Sequence, residues 1–256
     1  MYNDWFTIGP VTVHGYGVMI AIGILAAFWL AEKFAKRHDL DEERIDTFVF
    51  FVIIFGYMCS KMLYCITVFD QFLSDPLSVL GSGGWVVYGG VLGGILGAWL
   101  FCKKYGWDFM HYFNVLIPCV ALAQGFGRIG CFFAGCCYGI ETDSAIGVHF
   151  PAGSLCPVDH AVIPTQLIMS LGDFIIFAIL YYNLEKGKGL QNNASLYLML
   201  YSAGRFAVEF IRGDINRGFV GVLSTSQFIS IFAFLLGLYL FMSGKNKKEE
   251  KNTTLV

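Results

Sequence analysis

Seven runs of roughly 20 mostly apolar residues, each long enough to cross a bilayer as a helix, dominate this chain. They cover residues 11–31, 47–69, 85–102, 109–127, 162–184, 194–211 and 219–243. Little polar sequence remains between them. The composition agrees: 56 % of the 256 residues are hydrophobic and only 14 % are charged, against roughly 45–50 % and 25 % in soluble domains. A water-soluble fold cannot hide that much apolar surface. A disordered chain needs low hydrophobicity and high charge. The formal net charge of -2, with no long basic patch, argues against nucleic acid as a partner. The expected fold is all-α: a polytopic integral membrane protein of seven transmembrane helices, forming a single domain over 1–256 with a tail at 245–256.

Lysine and arginine placement predicts the orientation. Lys33, Lys36, Arg37 and Arg44 follow the first run, Lys103 and Lys104 the third, Lys186 and Lys188 the fifth, and Lys245, Lys247, Lys248 and Lys251 the last. Loops 70–84 and 138–161 carry neither residue, and loop 213–218 carries only Arg217. The N-terminus is therefore expected outside and the tail in the cytoplasm.

In that topology every cation within a run, or at the end of an outward-running one, falls in the outer half of the bilayer. Lys61, Arg128, Arg205 and Arg212 are four such cations, against one nearby acid, Glu209. Ionised groups at this depth are costly and usually face a cavity, and arginine forks suit phosphate oxygens. The alternatives are a structural Arg205–Glu209 pair and side chains snorkelling to the interface. The spacing of 205, 209 and 212 predicts one helical face. Arg128 and Arg205 are expected to face one outer-leaflet cavity, with Tyr88 lining it beside Gly89 and Gly90. The glycines of 125–139, GFGRIGCFFAGCCYG, suggest a broken helix or re-entrant loop.

GRIGCFFAG at 127–135 resembles the signature of the prolipoprotein diacylglyceryl transferase family, G-R-x-G-N-F-x-N-x-E. HGYG at 14–17, YGGVLGG at 88–94, PTQL at 164–167 and GRFAVEFIRGD at 204–214 resemble further family segments, in the same order. The resemblance implies a transferase of the bacterial inner membrane with the family's seven-span, N-out topology. Its partners would be phosphatidylglycerol and the lipobox cysteine of a pre-prolipoprotein, whose thiol receives the diacylglyceryl group. It implies catalytic roles for Arg128, Arg205, Tyr16 and Tyr88. Substrate-binding roles fall to Lys61, Glu209, Arg212, Gly139, Gln166 and Cys131. No cofactor and no metal ion is expected.

The departures concern proton handling. Tyr88 stands where the family has a histidine, and a phenol with a pKa near 10 is a poor base at neutral pH. Cys131, Ala134 and Cys136 replace two asparagines and a glutamate, and Ile163 replaces a second histidine. The chain could therefore be a divergent paralogue that moves a lipid-derived group to another acceptor. A non-enzymatic lipid-binding or transport protein is the third reading.

Cys131, Cys136 and Cys137, with Cys156, His149 and His160 downstream, leave four readings open: packing residues, a disulfide, a nucleophilic thiolate, or a zinc site lacking the usual C-x2-C spacing.

Overall fold

The computed structural model describes residues 3–9, 11–151, 153–156, 159–214 and 218–253. A hairpin of β1 (Asp4–Ile8) and β2 (Val11–His14) leads into α1 (Gly15–Arg37). Helix α2 (Ile45–Thr67) follows, then the short α3 (Phe69–Ser74) and α4 (Pro76–Gly81). Next come α5 (Val87–Tyr105), α6 (Phe109–Ala134), α7 (Thr165–Glu185) and α8 (Gly189–Val208). A 3-10 turn at Glu209–Ile211, a hairpin of β3 (Phe219–Val220) and β4 (Leu223–Ser224), and α9 (Thr225–Thr253) complete the chain. Arg217 lies outside the described residues.

Among the described residues, seven long helices thus stand where the seven runs were read, but the ends differ. Residues 11–14 and 219–224, expected to open helical spans, form antiparallel hairpins. Their turns pass through Gly9 and Gly221, at φ 59° and 62°, and Val11-Thr12-Val13 supplies the β-branched alternation a strand favours. Five helices, α1, α2, α6, α7 and residues Thr225–Ser243 of α9, are long and apolar enough to cross a membrane. Helix α5, with its glycines and Lys103–Lys104, and α8, with Gln191, Asn192 and Asn193, are as long but less apolar.

The backbone packs as two compact units, Ala31–Tyr112 and the combination of Met1–Leu30 with Phe113–Val256. In the former, α2 and α5 lie in close contact along a glycine seam. A Cβ on Gly89 would sit 2.7 Å from the Cys59 carbonyl oxygen, and one on Gly97 3.1 Å from Phe55 Cβ. Small residues permit such approach between membrane helices, where dispersion replaces the hydrophobic effect. Gly89 thereby brings the α5 backbone directly against α2. Beneath the seam, Phe48, Phe101, Trp107 and Tyr112 form an aromatic cluster, with Trp107 and Tyr112 stacked at 4.4 Å. The Tyr112 hydroxyl accepts the Asp41 backbone N–H at 2.9 Å.

The other unit is built on α6, α7, α8 and α9. Ile117, Ala121, Ile176 and Leu180 form its apolar centre. Buried polar groups tie the helices together: Asn114 Oδ1 accepts the Ala194 N–H at 2.8 Å, Asn193 Nδ2 donates to the Leu180 carbonyl at 3.1 Å, and Ser170 Oγ donates to the Gly125 carbonyl at 2.9 Å. Helix α6 runs unbroken through Gly125, Gly127 and Gly130 to Ala134 and stops at Gly135, so the break expected over 125–139 comes at its fourth glycine and not at the first three. Two of these glycines are packing positions. A Cβ on Gly125 would meet the Phe174 ring at 2.7 Å, and one on Gly130 the Tyr16 carbonyl at 3.1 Å. Tertiary contact overrides the poor helix propensity of glycine.

Candidate functional site

The end of α6 sets the geometry. Gly135 adopts φ 73°, its N–H donates to the Phe132 carbonyl at 3.2 Å, and the Cys136 N–H donates to the Cys131 carbonyl at 3.2 Å. This pair of bonds closed by a left-handed glycine is the Schellman helix stop. It brings the residue after the glycine back over the residue five before it, here Cys136 over Cys131. Cys137 then takes φ 59°, and the chain leaves as an extended segment.

That segment is wedged between two others. Gly139 donates its N–H to the Ile163 carbonyl at 2.9 Å and bridges Arg212. The Ile140 N–H donates to the Ile211 carbonyl at 2.9 Å. A Cβ on Gly139 would stand 2.7 Å from the Ile163 oxygen and 2.8 Å from the Ile211 oxygen. Glycine is required here because two backbones occupy the space of a side chain. The start of α7 braces the same turn. Thr165 Oγ1 donates to the Cys137 carbonyl at 2.6 Å, and Gln166 Nε2 to the Cys136 carbonyl at 2.7 Å. Gln166 is fully buried, and its Oε1 has no hydrogen-bond partner among the described residues.

The end of α8 contributes the ionised groups. Arg205 Nη1 lies 2.5 Å from Glu209 Oε2, and Arg205 Nη2 donates to Ser226 Oγ at 2.7 Å. Helix α8 stops at Val208, so Arg212 is extended rather than on the helical face expected for it. It still reaches Glu209, at 3.7 Å, and donates through Nε to Asp214 at 2.8 Å, with a second contact through Nη2. Burial works against the Arg212 charge. The Asp214 hydrogen bond, with Cys137 and Glu209 nearby, outweighs it and carries the guanidinium above its ordinary pKa.

Arg128, on α6, makes a long contact of 3.5 Å from Nη2 to the Tyr201 hydroxyl. Tyr201 precedes Arg205 by one turn of α8, so Arg128 is directed at the turn before Arg205, and the two arginines feel each other's charge. Asp173 also lies within electrostatic range of Arg128, and its Oδ2 is buried without a hydrogen-bond partner among the described residues. Tyr16, in the first turn of α1, is 41 % exposed and donates its N–H to Asn3 Oδ1 at 3.1 Å. Just before it, His14 Nδ1 lies 2.6 Å from Asp4 Oδ1.

Lys61 and Tyr88 belong to the unit of residues Ala31–Tyr112. Lys61 Nζ donates to the Ser82 carbonyl at 2.7 Å and the Gly84 carbonyl at 3.3 Å. It stands over the rings of Trp85 and Tyr64 at 4.6 and 5.1 Å, an aromatic and carbonyl cage that offsets its desolvation. Tyr88 opens α5 and is 42 % exposed. The cations therefore differ in kind: Arg212 is neutralised locally, Lys61 is caged, and Arg205 shares Glu209.

The eight cysteines are free thiols. Cys156 packs with Tyr138, Val162 and Phe150. The Sγ atoms of Cys131, Cys136 and Cys137 lie within 4.8 Å of one another. Hydrogen bonds from Cys131 and Cys136 hold the Cys137 thiol below its ordinary pKa despite burial, with Arg212 and Arg128 acting in the same sense. The Cys136 thiol is pushed up by its hydrogen bonds to the other two.

Sequence reasoning missed three partners. Asp214 was within reach, two residues beyond Arg212. Tyr201 is signalled by its one-turn spacing from Arg205. Ser226 gives no local signal, because its role depends on how α9 packs against α8.

Residues 3–243 match the family described as prolipoprotein diacylglyceryl transferase. The chain is 42 % identical over 247 residues to a phosphatidylglycerol–prolipoprotein diacylglyceryl transferase of Clostridium tetani, covering 95 % of this chain and 98 % of that one. It is 42 % identical over 239 residues to the enzyme numbered 2 from Clostridium perfringens, covering 92 % of each. Against the transferase of Dehalococcoides mccartyi it is 28 % identical over 253 residues, 97 % of this chain and 96 % of the other.

Proposed function

The chain belongs to the prolipoprotein diacylglyceryl transferase family, and we propose from that premise that it transfers the diacylglyceryl group of phosphatidylglycerol to the lipobox cysteine of pre-prolipoproteins. Near full-length 42 % identity to enzymes named for this reaction carries the reading. The site suits it chemically. The acceptor thiolate forms a thioether bond to the glyceryl carbon, the bond from that carbon to phosphate oxygen breaks, and glycerol phosphate leaves. The phosphate gains charge as it departs, so fixed guanidinium groups stabilise the transition state more than the ground state. In this reading Arg128 and Arg205 hold the phosphate. Glu209, with Arg212 behind it, orients Arg205. Tyr16 and Cys131 wall the pocket, Gly139 and Gln166 fix its rim, and Lys61 and Tyr88 contact lipid or acceptor. Tyr88 serves as a hydrogen-bond donor rather than a base.

The same reading places the protein in the bacterial inner membrane as one domain of seven spans, with α5 and α8 joining the five more apolar helices. The N-terminus is outside and the chemistry lies in the outer leaflet. The lysine and arginine asymmetry of the loops supports this orientation.

Transfer from labelled phosphatidylglycerol to a lipobox peptide, together with rescue of cells depleted of their own transferase, tests the proposal. Wild-type protein should label the cysteine and restore growth. Arg205→Ala should do neither, and Arg205→Lys little, since a point charge cannot reproduce a fork. Folded wild-type protein that labels no lipobox cysteine overturns it.

A further inference from the structure

The bond-making and bond-breaking of the transfer use none of the cysteine sulfurs at the end of α6, and their placement is specific. The helix stop at Gly135 carries Cys136 back over Cys131, as its backbone bond to the Cys131 carbonyl requires. The left-handed backbone of Cys137 turns the third sulfur to the same place. The spacing C-x4-C-C therefore does by helix termination what C-x2-C does in a hairpin knuckle. The three Sγ atoms lie within 4.8 Å of one another. Thiolates on one tetrahedral zinc ion, with Zn–S bonds of about 2.3 Å, stand about 3.8 Å apart, a difference that side-chain rotation closes.

We propose that Cys131, Cys136 and Cys137 form a three-thiolate site for a single soft, thiophilic cation of the Zn2+ type. Three further observations support it. The carbonyls of Cys136 and Cys137 are pinned by Gln166 and Thr165, so the turn is held from outside its own backbone, as ligand-bearing segments are. Each of the three residues is half-buried rather than sealed in the core. Arg128 and Arg212 lie within electrostatic range of Cys137, and three thiolates on a divalent ion carry one net negative charge for them to balance. Binding displaces the thiol protons and needs no oxidant. Among the described residues, Cys156 and the two histidines of the following loop, His149 and His160, are not in the group and do not supply a fourth ligand.

Purified full-length protein, reduced and freed of metal in detergent, is titrated with Cd2+ while thiolate-to-metal charge-transfer absorption is followed. One equivalent should saturate the signal, Zn2+ should compete and Mg2+ should not, and three thiols should become protected from alkylation. Cys136→Ser and Cys137→Ser should each weaken binding by about 100-fold or more, while Cys65→Ser, remote in sequence and in the other unit, should leave it unchanged. The proposal does not rest on the transferase reading, and the readout is independent of activity. Absence of a saturable signal in the reduced wild-type protein overturns it, as does a signal that survives in the variant with all three residues changed to serine.

Discussion

Arg205 and Glu209, one helical turn apart, meet at 2.5 Å where α8 gives way to a 3-10 turn, and Arg212 approaches the same carboxylate from beyond the helix. Glu209 is 4 % exposed. It is the acid that holds two guanidinium groups in place.

Glu209→Ala should therefore destabilise the protein by about 3–5 kcal/mol, because removing one partner of a buried pair leaves an uncompensated charge. Glu209→Gln, which keeps the hydrogen-bonding atoms, should lie between it and wild type. Thermal unfolding in detergent measures both. Equal stability of all three proteins would remove Glu209 from its orienting role.

Gly139→Ala should lower stability by about 1–3 kcal/mol, the usual cost of overpacking, because the added methyl meets two backbone oxygens that cannot rotate away. Gly127→Ala, where nothing lies within 4 Å of the new atom, is the contrasting control and should be neutral or slightly stabilising. The comparison is read from the two melting curves.

Tyr88→Phe should reduce diacylglyceryl transfer by about 1–3 kcal/mol of transition-state stabilisation, the cost of one lost polar contact. Tyr88→His should keep or raise the rate. A loss of three orders of magnitude in Tyr88→Phe, measured with the lipobox peptide, would instead make the phenol the proton carrier.

Alkylation of metal-free protein should distinguish the three clustered thiols by pH. An ordinary thiol loses roughly 100-fold in thiolate between pH 8 and 6. Cys137, whose pKa is lowered, stays ionised across that range and should keep most of its rate. Cys136, whose pKa is raised, should react slowly throughout. Peptide mass spectrometry after iodoacetamide treatment reads each site separately, and a rate at Cys137 that falls as steeply as at an ordinary thiol contradicts the assignment.

The seven long helices, the membrane setting and the family were legible in the residues themselves. Apolar runs of bilayer length and motifs in fixed order are local properties, decided by side-chain hydrophobicity and spacing. The break expected over 125–139 comes only at Gly135 and not at Gly125 or Gly130, because glycine propensity is local, whereas Phe174 and Tyr16, which crowd those two positions, arrive from other helices. The helical placement of Arg212 failed for a related reason: its backbone is captured by Gly139 from a distant segment. The sequence alone determined which charges and sulfurs are present and where along the apolar runs they fall. Only the tertiary structure decided their pairing. Arg212 meets Asp214, Arg205 meets Ser226, Lys61 enters an aromatic cage, and three thiols converge behind a helix stop, because ion pairing and metal-like geometry depend on distances that close only when separate helix ends are packed together.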